Sequence, residues 1–229
     1  MYANQSGERV AATPAQKASC PSCDGNVISK CGDIKIWHWA HEVSDCDPWS
    51  EGETLWHREW KERFPEDCRE VTMHHYIHGH GEKGFGVLGQ ENCHRADIKT
   101  DTHVVEFQHS SISGDEIRER ETFYHLCKGY EMAWVIDVLE YHENIELRYR
   151  YSNKTASFRW KWPRKSWWAS EHADIYLDNH NGLLFQVQGL YPNCPCGGWG
   201  KWVRPEQFLK NVGVDQWKWI ENEWRRQPI

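Results

Sequence analysis

Two short stretches, residues 94–99 and 103–108, alternate polar and apolar side chains on either side of Asp101 and Thr102. If that dipeptide forms a two-residue turn, Thr100 pairs with His103 and Asp97 lies opposite Glu106. Directly opposed Cβ atoms on one sheet face stand about 4.5–5.5 Å apart, close enough for two carboxylates to share a divalent cation. Period-two alternation puts Arg95, Lys99 and Gln108 on the same face and turns Ala96, Ile98, Val105 and Phe107 to the other. Opposed like charges destabilise a sheet unless something neutralises them, and a metal ion would do so. A solvated hairpin in which Lys99 and Arg95 balance the acids fits the same charge pattern.

Around the hairpin the chain reads as α/β. A helix is predicted over 52–64 and stopped by Pro65, followed by a strand over 71–77 and a Gly-rich loop over 79–89. Ser113 with Glu116 three residues on is a capping-box pattern for a helix running to about Tyr130. The apolar run 133–139 reads as a buried strand. From Glu53 the order is therefore helix, three strands, helix, strand. The residues before Ser19 read as a strand or arm. Beyond the core, 146–162 and 175–190 look strand-like, and a last helix is expected over 215–226. The expected division is 1–48, 49–150 and 151–229.

Glu53, His57 and Lys61 recur at i, i+4 and i+8 and would form one stripe of the first helix, flanked by Trp56 and Trp60. An exposed, salt-bridged face beside a Trp-anchored core is the plainer reading of that stripe. On the second helix Arg120 and Tyr124 share a face beside Ile117 and Phe123. Taken together, His94-Arg-Ala-Asp-Ile98, Val-Val-Glu-Phe-Gln-His-Ser at 104–110, Ile112-Ser113, Glu116, Arg120, Phe123 and Tyr124 resemble the competence protein CoiA family. The resemblance extends over about 110 residues, taking in Glu53, His57, Lys61 and a Cys/His module at 20–41.

That family is similar in its core to the wider PD-(D/E)XK nucleases. The resemblance therefore implies a restriction-endonuclease-like α-β-β-β-α-β core that cuts phosphodiester bonds with Mg²⁺ or Mn²⁺. Asp97 and Glu106 would be the metal ligands, and Glu53 or His57 would bind a second ion or position a water. Gln108 would stand where the superfamily usually has lysine. Glutamine orients a water but neither takes a proton nor carries positive charge. Either Lys61 or Lys99 replaces the missing cation, or the chain is a non-catalytic, zinc-stabilised nucleic-acid-binding factor.

Cys20-Pro-Ser-Cys23 followed by His38-Trp-Ala-His41 pairs ligands two apart across a hairpin's length, the spacing of a closed structural Zn²⁺ site in a small ribbon. Cys31 and Cys46 lie near enough to substitute for a histidine. A second pair, Cys194-Pro-Cys196, reads as a tight Gly-flanked loop. Nine cysteines without an apolar leader fit thiols and metal ligation in the cytoplasm better than a disulfide framework, and no segment has the length of a membrane span.

The net charge of -7 counts against a nucleic-acid binder if taken whole, but residues 151–229 hold 11 Lys and Arg against 7 Asp and Glu. In 158–162 Phe158, Trp160 and Trp162 alternate with Arg159 and Lys161, so a strand there would separate aromatics from cations. Arg159, Lys161, Arg164 and Lys165 are candidate phosphate contacts, with Arg95, Arg120 and Tyr124 nearer the hairpin. Trp167 and Trp168 are assigned to neither side. DNA is the expected partner, no membrane is, and the oligomeric state is not legible.

Overall fold

Residues 2–11 fold back on themselves because Ser6 and Gly7 both take positive φ, 53° and 86°, the two-residue turn whose twist matches the strands it joins. In a computed structural model of the protein, the described residues are 2–33, 36–42, 46, 49, 53–76, 91–139, 145–150, 155–160, 167, 169–191 and 194–214. They belong to two units, Met1–Ile98 and Lys99–Ile229, each built of helix and sheet.

In the first unit, strands β1 (Tyr2–Gln5), β2 (Glu8–Ala11), β3 (Lys17–Ser19), β4 (Asn26–Lys30) and β5 (His38–His41) form an antiparallel sheet in the order β2-β1-β3-β4-β5. The expected N-terminal arm is thus three strands of a small sheet. Its core is Ala3, Ala12, Cys20, Val27 and Trp39, and the Trp39 indole N–H donates to the Val10 carbonyl at 3.1 Å. Helix α1 (Leu55–Lys61) follows and buries Trp56 and Trp60. A 3-10 turn at Glu66–Cys68 then leads into β6 (Arg69–Tyr76), which pairs antiparallel with β7 (Glu91–Lys99). The predicted Gly-rich loop at 79–89 lies outside the described residues.

The second unit opens at the predicted turn, where the Thr100 N–H donates to the His103 carbonyl at 2.9 Å. Strand β8 (His103–Gln108) is followed by α2 (Gly114–Glu121), which runs on as a π-helical turn at Thr122–Cys127, and then by β9 (Glu131–Asp137) parallel to β8. From Leu55 to Asp137 the chain order is therefore helix, three strands, helix, strand. The Ser113 hydroxyl caps α2 by accepting from the Glu116 N–H at 3.0 Å, but the Glu116 carboxylate pairs with Arg120.

The stretch expected as one strand over 146–162 is an antiparallel pair, β10 (Ile145–Arg150) and β11 (Thr155–Trp160). That expected over 175–190 is β12 (Ala173–Asp178), parallel to β9, and β13 (Leu184–Tyr191). The Cys194 to Cys196 segment opens a strand and not a loop: β14 (Cys194–Val203) lies between β11 and β13. Its glycines misled the reading because they serve close backbone approach. A Cβ on Gly200 would lie 2.0 Å from the Gln186 carbonyl oxygen. Helix α3 (Pro205–Asn211), with Pro at its start, closes the described chain, and the helix expected over 215–226 lies outside it.

The parallel strands are buried on both faces, as parallel sheets are. Val104, Val105, Phe107, Trp134, Val135 and Leu177 are at most 2% exposed. Glu121, at the end of α2, ties this core together with a satisfied buried carboxylate. It accepts from the Trp134 indole (3.1 Å), the Ser170 hydroxyl (2.6 Å) and the amides of Glu171 (2.8 Å) and His172 (2.9 Å). Glu121→Ala would leave four donors without an acceptor and is expected to cost about 3 kcal/mol in urea unfolding. A loss below about 1 kcal/mol would show that this carboxylate is not a keystone of the unit.

Candidate functional site

Thr54 starts α1 with a reciprocal cap: its hydroxyl accepts from the His57 N–H at 3.2 Å, and the His57 ring Nδ1 accepts from the Thr54 N–H at 3.3 Å. Glu53 therefore precedes the helix, and Lys61 is its last residue. The Lys61 Nζ lies 2.8 Å from Glu53 Oε1, 3.0 Å from Glu70 Oε1 and 3.4 Å from Asp97 Oδ1. An ammonium has three N–H donors, and three carboxylates surround it. Burial alone would push the Lys61 proton off, but Asp97, Glu70 and Glu53 outweigh it and hold the ammonium well above the ordinary lysine range. Burial likewise pushes the Glu70 carboxyl up, and Lys61 reverses that and holds it far below its ordinary value.

Three acids therefore converge on one base at this locus. A cleft of about 660 Å³ reaches it, lined by Tyr2, Trp37, Glu53, Arg58, Lys61 and Glu70 among others. On β7, Ala96 and Ile98 are fully buried while Arg95, Asp97 and Lys99 are half-buried, the expected alternation. Of the expected stripe, Lys61 and Glu53 meet, and His57 is buried with Nδ1 engaged in the helix cap. Glu70 escaped the sequence reading. Its place beside Asp97 follows from the β6–β7 register, and a connection of more than a dozen residues does not specify a register.

Glu106 and Gln108 belong to the second unit and are buried. Arg120 donates to Glu106 at 2.9 Å and also pairs with Glu116. The Gln108 amide NH₂ donates to the carbonyl (3.2 Å) and hydroxyl (3.4 Å) of Ser110. Arg120 and Tyr124, expected at a nucleic-acid surface, are 4% and 0% exposed, so they are core residues: the helical face they share is the one α2 and its π-turn bury. The Lys99 ammonium lies 4.9 Å over the Tyr130 ring.

A second constellation not foreseen in the sequence sits at the carboxyl ends of the parallel strands. Asp137 accepts from His109 Nδ1 and His180 Nε2, both at 2.9 Å, and from the Leu139 N–H at 2.9 Å. Burial raises its carboxyl, but these partners outweigh burial and hold it below its ordinary value. The parallel pairings of β9 with β8 and with β12 bring 109, 137 and 180 together, which no sequence spacing announces.

In the N-terminal sheet the turn between β3 and β4 carries Cys20 and Cys23, and the Cys20 N–H closes it onto the Gly25 carbonyl at 2.8 Å. Ligand atoms of Cys20, Cys23, His41 and Cys46 all lie within 4.8 Å of one another, a Cys₃His set that could hold a metal ion. Cys46 supplies the fourth position and His38 does not. Residues 38 and 41 are an odd number apart on β5 and so point to opposite faces, and His38 Nδ1 lies 2.7 Å from the Ile36 carbonyl. Burial pushes the Cys46 thiol up, and its Cys23 and Cys20 neighbours add to the rise. At Cys20 burial acts the same way but is outweighed by the Ser22 and Cys23 amides and the Cys46 and Cys23 thiols, which hold that thiol below its ordinary value.

On β11 Phe158 and Trp160 are buried and Arg159 is exposed, as the alternation predicts, and Trp167 is also buried. Lys161, Arg164, Lys165 and Trp168 lie outside the described residues. Among the described residues no helix is long and apolar enough to cross a membrane.

A mixed α/β chain with a Cys₃His module and paired buried acids is the setting in which the family comparisons fall. Residues 3–48 match the N-terminal domain of competence protein CoiA, and residues 88–190 match its nuclease-like domain. The chain belongs to the competence protein CoiA-like family and carries a nuclease-like domain. No curated protein and no solved structure matches it. All four residues of the Cys₃His set fall in the first match, Asp97, Glu106 and Gln108 in the second, and Glu53, Lys61 and Glu70 between the two.

The charge locus makes stability depend on pH at both ends. Glu70 titrates below its unfolded value of about 4.3, so the stability it lends is intact above that pH and is lost as pH falls further. Lys61 titrates above its unfolded value of about 10.4, so its contribution is complete below that pH and is lost as pH rises beyond it. Urea titrations from pH 2 to 7 should show Glu70→Gln with a flatter acid limb than wild type. Parallel limbs would remove Glu70 from the acid response.

Proposed function

We propose that this protein is a metal-dependent nuclease that hydrolyses phosphodiester bonds of DNA, in DNA processing, recombination or defence. The observation that carries the reading is the Lys61 ammonium set among Glu53, Glu70 and Asp97. A nuclease-like domain with glutamine at 108 needs its positive charge from elsewhere. Of the two lysines that could supply it, Lys99 rests on Tyr130, whereas Lys61 lies beside Asp97. This favours a cutting enzyme over a binding factor that only retains its acids.

The donor set fits a hard divalent cation such as Mg²⁺ or Mn²⁺: carboxylate oxygens of three residues converge around one lysine. Asp97 and Glu53 are the proposed ligands, with Glu106 carried over from the family resemblance as the partner of Asp97. A bound divalent cation supplies a water of lowered pKa and stabilises charge on the phosphate. Lys61 supplies fixed positive charge for the same phosphate without needing to move a proton. Gln108, donating to Ser110, orients its neighbourhood and is not a base. Exposed Arg159 and the basic run 161–165 are proposed phosphate contacts, and 1–48, 49–150 and 151–229 are the proposed functional segments of a cytoplasmic protein.

The Cys₃His set is assigned to structural Zn²⁺, since four converging soft and borderline donors make a closed tetrahedral site. Metal analysis should find about one zinc per chain, lost in Cys46→Ser and kept in His38→Ala. Zinc kept in Cys46→Ser would refute the ligand set.

For the nuclease, purified protein with Mn²⁺ should cut at least one of single-stranded, duplex or branched DNA. Asp97→Asn and Lys61→Gln, checked for folding by thermal melting, should each cut about 100-fold more slowly or worse. Wild type that binds DNA without cutting returns the chain to a zinc-stabilised binding factor, and an Asp97→Asn protein as active as wild type removes this site from the chemistry.

A further inference from the structure

Glu70 stands within β6 at φ 49°, the left-handed region that a non-glycine strand residue enters only at a cost. Such a conformation persists where the surroundings over-determine it, and at Glu70 they do. The register pairs on either side, Arg69 with Ile98 and Val71 with Ala96, set Glu70 abreast of Asp97. Its Oε1 takes the Lys61 ammonium at 3.0 Å, and its Oε2 accepts the backbone N–H of Tyr2 at 2.9 Å. Tyr2 opens the first strand of the Cys₃His sheet, and that sheet grips β6 elsewhere too. The Arg9 guanidinium donates to the carbonyls of Glu66 (3.0 Å) and Arg69, Ser22 Oγ lies 3.1 Å from Thr72 Oγ1, and the Cys93 thiol donates to the Ser22 carbonyl at 3.5 Å.

We infer that Glu70 is a positioning residue of the nuclease centre: held by the N-terminal module through the Tyr2 amide, its carboxylate fixes the Lys61 ammonium against Asp97. The catalytic consequence rests on the nuclease reading above, while the positioning itself does not. Lysine is a point charge on a flexible four-carbon stem, so the carboxylates around it, and not its own geometry, decide where the charge sits. Glu53 grips Lys61 from the coil before α1 and Asp97 from β7, and Glu70 also accepts from the Cys₃His sheet. The Tyr2 amide thereby links the module to the carboxylate that holds Lys61.

The test uses the full chain as wild type, Glu70→Gln and Glu70→Gly, with two readouts. Reductive methylation followed by peptide mass spectrometry measures access to Lys61 against exposed Lys17. Mn²⁺-dependent cleavage gives kcat and KM for DNA. Lys61 should be protected in wild type and react about tenfold faster in both variants, with kcat down about tenfold or more and KM changed less than about twofold. Glycine accepts the φ at 70 without strain, so Glu70→Gly should melt no lower than Glu70→Gln and still cut no faster. A merely structural glutamate would lower the melting temperature and leave kcat of the folded protein alone. Lys61 equally protected in all three proteins, or wild-type kcat in either variant, overturns the inference. Should wild type cut no DNA, the nuclease reading falls and the methylation rates alone decide the positioning.

Discussion

A buried ammonium shared by three carboxylates is the interaction on which the first unit depends. Charges leave water only when paired, and removing one partner of a buried set costs more than the set contributes. Each partner of Lys61 comes from a different element: Glu53 from the coil before α1, Glu70 from β6 and Asp97 from β7. The helix, the hairpin and, through Tyr2, the N-terminal sheet are therefore tied by charge as well as by the Trp56 and Trp60 packing. Moving α1, β6 or β7 separates Lys61 from a carboxylate, and moving the N-terminal sheet takes the Tyr2 amide from Glu70.

The second unit solves the same problem differently. Arg120 is matched by Glu106 and Glu116, Glu121 by four donors, and Asp137 by two imidazoles and an amide. At Glu121 and Asp137 the acid is satisfied where it stands, which fits a lock. Around Lys61 three acids converge and a cleft reaches Glu53 and Glu70, which fits a place that a ligand can enter. Access from the cleft, more than the presence of acids, separates the candidate site from a buried network.

How much of this was legible follows contact range. The alternation at 94–108, the turn at Asp101 and Thr102, the Ser113 cap and the buried aromatics beside exposed Arg159 are local, and local geometry carried them. Glu70 and the Asp137 histidines depend on strand pairings across long connections, so no spacing in the chain pointed to them. His38 and His41 look like a ligand pair in the sequence, but both lie on one strand, where residues three apart point to opposite faces, and Cys46 completes the set instead. Nothing local to α2 marks Arg120 and Tyr124 as core residues and not as a nucleic-acid surface. Arg120 is buried together with Glu106, the carboxylate it pairs with across 14 residues of chain.

The glutamine at 108 then ceases to be an oddity of one strand. A strand lysine beside paired acids is held by the strand itself, with its direction set by the pleat. A lysine at the end of a seven-residue helix has no such guide, since its stem is long and its helix terminus frays. On the proposed reading, in which Lys61 supplies that charge, a clamp is required, and Glu53 and Glu70 are placed to be one. The strained backbone at Glu70 and the amide of Tyr2 are what that clamp demands. In this reading the substitution on the strand, the left-handed residue on β6 and the docking of the N-terminal sheet are three parts of one solution to where a single positive charge must sit.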